Sequence, residues 1–216
     1  MAICSTCGEW TEPPLLITDD HGGVHIACPQ CGHREPFVQR PLHFVSGASG
    51  AGKSTLVPLV RRSHPDYVIF ECEAIDFWRF EGPPGVYASL HNQWLKVAWE
   101  IALNDLPVVL IGTALPAQLD ACTMRSRFST IRYLGLICDD EELARRLRAR
   151  PAWRKTRNEQ FIAQAQGYTR RLREVGEGGT AAMTLVDTTA MLPDEAAACI
   201  VRWVRASHIP MTQDRG

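Results

Sequence analysis

The segment Gly47-Ala48-Ser49-Gly50-Ala51-Gly52-Lys53-Ser54, followed by Thr55, constrains this chain more than any other. It satisfies G-x-x-x-x-G-K-[ST] at every position. Leu42-His43-Phe44-Val45-Ser46 before it reads as a short buried strand, and Thr55 to Arg62 after it as a helix start in which Pro58 predicts a local kink. Strand, glycine-rich turn and helix is the order a phosphate-binding loop requires. The glycines let successive backbone N–H groups converge, and the helix N-terminus adds the positive end of its dipole. Gly47, Ser49, Gly50, Ala51, Gly52, Lys53, Ser54 and Thr55 are therefore expected to cradle a nucleoside triphosphate. Lys53 would reach the β- and γ-phosphates, and the Ser54 hydroxyl would ligate Mg²⁺.

A second motif stands apart from the first. Cys4-Ser5-Thr6-Cys7-Gly8 and Cys28-Pro29-Gln30-Cys31-Gly32 are two copies of C-x-x-C-G. Each turn brings two sulfurs to one side, and together Cys4, Cys7, Cys28 and Cys31 supply four thiolates, the closed set of a structural Zn²⁺ site. Between them, Leu15–Thr18 and Val24–Ala27 flank the turn residues Asp19-Asp20-His21-Gly22-Gly23, which reads as a hairpin. The pattern looks like a zinc ribbon; disulfides or a metal-free ribbon are the alternatives. Residues 1–40 carry Glu9, Glu12, Asp19, Asp20 and Glu35 against Arg34 and Arg40, so a folding clip or protein-contact module is favoured over a nucleic-acid grip.

From residue 42 the chain alternates strand and helix, which implies a parallel sheet with helices on both faces. Strands are expected at Leu42–Ser46, Tyr67–Glu71, Pro107–Gly112, Ile131–Ile137 and Met183–Val186. Helices are expected at Ser54–Ser63, Tyr87–Asn104, Ala117–Met124, Asp140–Arg148, Glu159–Glu174 and Pro193–Ser207. The fold class is thus α/β, with five parallel strands after a small ribbon: residues 1–38 the ribbon, 42–207 the phosphate-loop domain and 208–216 a tail. A net charge of −1 gives no global attraction to nucleic acid or to a membrane, and no apolar run approaches the roughly 20 residues that span a bilayer. With no basic and apolar leader at the N-terminus, a cytoplasmic protein is expected.

The second strand ends in Phe70-Glu71-Cys72-Glu73-Ala74-Ile75-Asp76, and ligands in open α/β sheets lie beyond the carboxyl ends of the strands. Phosphoryl transfer needs a carboxylate there, to orient or deprotonate the attacking hydroxyl or to hold Mg²⁺. Glu71 and Glu73 alternate on an extended chain and so point the same way; a solvated strand end is the bland alternative. The third strand closes on Gly112-Thr113-Ala114-Leu115-Pro116 and offers no acid for metal and water, which argues against a motor-type ATPase.

These features together resemble the small P-loop kinases. Glu71-Cys72-Glu73-Ala74 is similar to the Asp-Gly-Asp-Ala stretch of gluconate kinases, with glutamate in both acid positions. The run Leu136–Asp140 followed by Leu147–Arg154 resembles the nucleoside and nucleotide kinase-like proteins more closely, within the gluconate and shikimate kinase-like group. The resemblance covers about residues 42–205. It implies phosphoryl transfer from ATP with Mg²⁺ to a small-molecule hydroxyl or phosphate, a nucleoside or nucleotide first. Sugar or sugar-acid kinase, polynucleotide end-kinase and a non-kinase ATP-binding module remain as alternatives. It also implies an arginine lid drawn from Arg145, Arg146, Arg148, Arg150, Arg154, Lys155 and Arg157, of which Arg150 and Arg154 bracket the helix-breaking Pro151-Ala152-Trp153; a solvated basic helix face would look alike. Catalytic roles then fall to Lys53, Glu73, Arg150 and Arg154, and Mg²⁺ to Ser54 and Glu73. Asp187 approaches the adenine edge or caps a turn, and Glu71, Asp76, Trp78 and Arg79 face the acceptor. Trp78 or Trp94 could stack on a base or sugar face, although Trp94 and Trp99 also fit the core at their helical spacing, and Cys72, Cys122, Cys138 and Cys199 have no ligand spacing.

Overall fold

The computed structural model describes residues 2–11, 15–64, 66–74, 86–104, 106–178 and 183–206. Asp76, Trp78 and Arg79, together with the tail, lie outside the described residues.

Two small sheets come first. Strands β1 (Ala2–Ile3) and β2 (Trp10–Thr11) pair antiparallel, and β3 (Leu15–Thr18), β4 (Val24–Ala27) and β5 (Arg34–Pro36) form an antiparallel three-stranded sheet. The β3–β4 turn is closed by Asp19, whose backbone exchanges hydrogen bonds with Gly22 and Gly23. Its carboxylate accepts from the N–H groups of His21 and Gly23 and meets His25 Nε2 at 2.7 Å. That local saturation explains why this acidic run makes a hairpin.

The remainder is a five-stranded, wholly parallel sheet in the order β10-β9-β6-β8-β7. Its strands are β6 (Leu42–Gly47), β7 (Val68–Glu71), β8 (Val108–Gly112), β9 (Ile131–Ile137) and β10 (Met183–Asp187). The helices between them are α1 (Lys53–Ser63), α2 (Val86–Ala102), α3 (Pro116–Asp120), α4 (Asp140–Ala149), α5 (Glu159–Glu177) and α6 (Pro193–Ala206). The expected third helix is divided: α3 ends at Asp120 and a separate 3₁₀ turn occupies Thr123–Arg127. α1 continues through Pro58 to Ser63.

Period-two alternation shows how both faces of the sheet are filled. Leu42, Phe44, Val108, Leu110, Ile131 and Tyr133 face α2 and α5, burying Leu90, Trp94, Leu95, Trp99 and Leu172. Val45, Val109, Ile111, Leu134 and Leu136 face the other way, onto Leu56 and Val60 of α1 and Ile200 and Val204 of α6. Such strands are apolar on both faces, which is why they read as near-continuous hydrophobic runs. A third apolar group, with Leu143, Leu147, Ile162 and Ala165, joins α4 to α5 beside Ala48.

The ribbon is not a detached bead. Phe37 is buried within the α2-side core, its ring 6.1 Å from that of Trp99 in an edge-on contact, and Leu16, Val24 and Ile26 pack on the same cluster. The Arg127 guanidinium covers Trp99 at 5.7 Å, and Gln39 Nε2 donates to Ser126 O. Phe37→Ala is expected to lower the unfolding free energy of the full chain by about 3 kcal/mol or more, as buried aromatic truncations do. Urea denaturation followed by tryptophan fluorescence checks this; a loss under about 1 kcal/mol would mean that ribbon and sheet are not energetically joined.

Candidate nucleotide-binding site and thiolate centre

The phosphate loop runs from the end of β6 into α1. Gly50 and Gly52 take left-handed φ values of 93° and 101°, the curl that turns backbone N–H groups inward. Gly50 is also a point of close approach: a Cβ there would stand 2.9 Å from Leu143 Cδ1 and 3.2 Å from Leu147 Cγ. Lys53 is 5% exposed and turned back onto its own loop, donating to Gly47 O at 2.7 Å and Ala48 O at 3.1 Å. Burial draws its ammonium below the usual lysine range, opposed by the charges of Glu73 and Glu71.

Ser54 Oγ donates to Glu71 Oε1 at 2.6 Å. These two oxygen donors are a fitting pair for a hard cation such as Mg²⁺. Glu73 lies in a 3₁₀ turn, Cys72–Ala74, so strand alternation stops at Glu71 and does not set the direction of Glu73. Where a third-strand acid would stand, Thr113 donates its hydroxyl to Gly47 O at 3.0 Å.

Helix α4 supplies the cationic wall. It is capped by Asp139, which accepts from Glu142 N at 2.7 Å, and carries acids in its first turn and arginines in its last, as its dipole favours. Arg145 and Arg146 both grip Glu142, whose carboxyl they hold down to about 2. Arg146 reaches across to Thr188 O at 2.6 Å and Thr188 Oγ1 at 3.1 Å. Arg150, at the end of the helix, donates to Ser49 Oγ at 2.9 Å. Burial, and then Arg154, lowers its pKa, while Glu73 and Glu71 act in the opposite direction. Arg148 instead faces Glu159, and Arg157 donates to Arg150 O.

These elements surround a cavity of about 560 Å³. Of the residues expected from sequence, Gly50, Ala51, Gly52, Ser54, Thr55, Arg150 and Arg154 line it, with Arg145 and Arg146 from the wider arginine run. Gly47, Ser49 and Lys53 complete the loop beneath. Asp187 does not line it: its carboxylate accepts from the N–H and hydroxyl of Thr189 and faces Arg173 at 3.6 Å, so it caps the turn after β10. The rest of the lining includes Thr188, Thr189, Ala190 and Met191, the segment that follows Asp187, and Glu142; Ala190 and Met191 are residues that sequence reading left aside. The Glu142–Arg146 spacing of four was a legible signal for this part of the lining. Trp94 and Trp99 are buried core, as their spacing predicts.

In the ribbon, all four sulfurs of Cys4, Cys7, Cys28 and Cys31 lie within 4.8 Å of one another. Cys4 Sγ is 3.7 Å from Cys31 Sγ, and Cys7 Sγ is 3.6 Å from Cys28 Sγ. A tetrahedron of sulfurs about 2.3 Å from a central zinc has edges of about 3.8 Å. The two knuckles match: Gly8 and Gly32, at φ 73° and 72°, donate to Cys4 O and Cys28 O. Cys4 is drawn down to about 6, first by the Cys7 N–H, whereas Cys7, although it accepts the Glu9 N–H, is pushed up to about 12 by burial and the surrounding sulfurs.

No protein-family model matches the sequence, and no curated protein is significantly similar to it. Solved structures do share its fold. A sugar kinase from Janibacter sp. HTCC2649 superposes with a TM-score of 0.59 at 14% identity, over 78% of this chain and 95% of that one. The tunicamycin resistance protein of Deinococcus radiodurans gives 0.55 at 17% identity, over 77% of this chain and 96% of its own. Shikimate kinase from Acinetobacter baumannii, in complex with shikimate, gives 0.51 at 15% identity, over 80% and 96%. The chain therefore has the fold of the P-loop kinases, a five-stranded parallel sheet with helices on both faces, carrying a four-cysteine ribbon at its N-terminus.

Proposed function

We propose that this protein is an ATP-dependent kinase that phosphorylates a small molecule, a nucleoside or nucleotide before a sugar. The observation that carries the reading is the contact of Ser54 with Glu71 beside the buried Lys53, a phosphate loop already joined to a carboxylate at the end of β7. ATP would lie in the cavity, its phosphates taking the loop N–H groups and displacing Lys53 Nζ from Gly47 O and Ala48 O. Arg150 and Arg154 would neutralise charge that grows on the transferred group. Glu73, exposed beyond Glu71, would orient the acceptor hydroxyl and accept its proton. Mg²⁺ held by Ser54 and Glu71 would offset phosphate charge, which assigns the metal to Glu71 and leaves Glu73 as base. The hydroxyl of Thr113 in place of a third-strand acid speaks against a motor ATPase.

The ribbon reading is that Cys4, Cys7, Cys28 and Cys31 bind one structural Zn²⁺, because sulfur spacing fits a tetrahedral site with no position left open. Elemental analysis of protein purified without chelator is expected to give one zinc per chain, and Cys28→Ser to lose it. All four thiols titrating freely in zinc-free, folded protein would reject the assignment.

Lys53→Ala tests the donor site. The variant should keep its far-UV circular dichroism and lose at least about a hundredfold in ATP-dependent transfer, since Lys53 serves charge more than packing. A folded variant with the wild-type rate would sink the site.

Glu71→Gln and Glu73→Gln separate metal from base. Glu73→Gln should cost about a hundredfold to ten-thousandfold in single-turnover transfer, with ATP affinity little changed. Glu71→Gln should weaken ATP binding only when Mg²⁺ is present. The reverse pattern would exchange the two roles, and full activity in both would remove the carboxylates from the mechanism.

A further inference from the structure

The turn joining α4 to α5 carries, beside Arg150 and Arg154 of the phosphate site, groups that this site does not use. Residues 150–158 are tied into one shape. Arg157 Nε donates to Arg150 O at 2.6 Å, and Asn158 Nδ2 donates to Lys155 O at 3.0 Å. Thr156 is buried under the turn, and Lys155 stands at φ 54°, a left-handed conformation that a lysine keeps only where its surroundings enforce it. The segment held in this way presents Trp153, which is 74% exposed. The Arg154 guanidinium lies 5.2 Å from the indole centroid and covers one face, leaving the other to solvent.

Arg150 and Arg154 line the cavity but Trp153 does not. The indole therefore stands just outside the rim, beyond Arg154. Arg145 and Arg146 are occupied by Glu142 and Arg148 by Glu159, whereas Arg154, Lys155 and Arg157 pair with no carboxylate among the described residues. Arg150 donates to Ser49 Oγ of the phosphate loop and, like Arg154, lines the cavity, so the turn that carries the indole is joined to the loop expected to hold the transferred group. A preorganised aromatic face among unpaired cations suits a planar anion. Nucleobases stack on such a face, and the cations take phosphate. A nucleotide in the cavity, lying between the phosphate loop and Thr188–Met191, leaves this platform open for a second ligand.

We propose that Trp153 and Arg154, with Lys155 and Arg157, form a stacking platform for the phosphoryl acceptor, and that this acceptor is a nucleotide already carrying a phosphate and not a neutral sugar. The acceptor's role rests on the kinase reading above; the existence of a second nucleotide site beside the cavity does not.

The test uses the full chain saturated with Mg²⁺ and the non-hydrolysable imido analogue of ATP, titrated with the four ribonucleoside monophosphates. At least one should quench tryptophan fluorescence. In Trp153→Leu that quench should vanish and the calorimetric affinity fall about tenfold or more, with Trp153→Phe keeping most of the affinity. The corresponding nucleoside should bind at least about tenfold more weakly than its monophosphate. A Lys155→Ala/Arg157→Ala pair should weaken the monophosphate and spare the nucleoside. Equal monophosphate affinity in wild type and Trp153→Leu would overturn the platform, as would the same Trp153-dependent quench from the ATP analogue alone. Transfer to a neutral sugar at one rate in both proteins would also overturn it while leaving the kinase reading intact. Trp153-dependent monophosphate binding in a protein that transfers no phosphate would support the platform and sink the kinase reading.

Discussion

The seating of the phosphate loop against α4 is the constraint from which the rest of the site follows. Because Gly50 has no side chain, Leu143 and Leu147 approach the loop more closely than any Cβ would allow. Those leucines are four apart, one stripe of the helix. Glu142, Arg146 and Arg150 are also four apart and form the adjacent stripe, so apolar docking of one face fixes the charged face against the cavity. Arg148 falls outside that stripe and turns to Glu159. One helix thus anchors the loop from below and supplies its cations from the side. A larger residue at position 50 would disturb both functions through a single contact.

The polar side chains of the loop are already partnered within the protein. Lys53 spends its donors on two loop carbonyls, Ser49 accepts from Arg150, and Ser54 is held by Glu71. An ammonium as buried as Lys53 is costly unless it is paired, and here carbonyls and nearby carboxylates share that burden. Incoming phosphates would exchange the present partners of these side chains for phosphate oxygens. This explains how a site so rich in charge sits within the fold.

How much was legible in the sequence depended on the range of the contact. The strands were readable because both faces of the sheet are covered, which makes Phe44, Leu110 and Leu134 sit among other apolar residues in sequence as well as in space. The knuckles and the loop were readable because their geometry lies within eight residues. Arg150 was marked by the proline that follows it. Arg146 carried no such mark: its partner Thr188 lies 42 residues away, and only the packing of β10 beside β9 brings the two together. Thr188 itself ties β10 to Ala51 O and Ile137 O, contacts equally invisible in one dimension. Asp187 left two readings open because a carboxylate after the last strand looks available, and its contacts match the turn cap: Thr189, two residues on, supplies the N–H and hydroxyl that occupy it. Glu73 was assigned its direction by continuing the extended chain two residues past Glu71, through a turn that its own sequence does not announce.

The position of the ribbon bears on which functions it can serve. Its attachment points are Phe37 on Trp99 and Gln39 on Ser126, and the chain then enters β6 with Leu42 N donating to Thr130 O and Arg40 O accepting from Ser129 N. Those contacts belong to the amino ends of β6 and β9. The phosphate loop leaves from the carboxyl end of β6, five residues further and so about 17 Å away along the strand. A ribbon fixed at the opposite end of the sheet is poorly placed to hand a polynucleotide end to Glu73, and its excess of acids adds a second objection. What it does share with the catalytic half is the core around Trp99, including helix α2 and the start of β6. A metal bound by the four cysteines would therefore stabilise, through packing, the same apolar cluster that supports the strand leading into the phosphate loop.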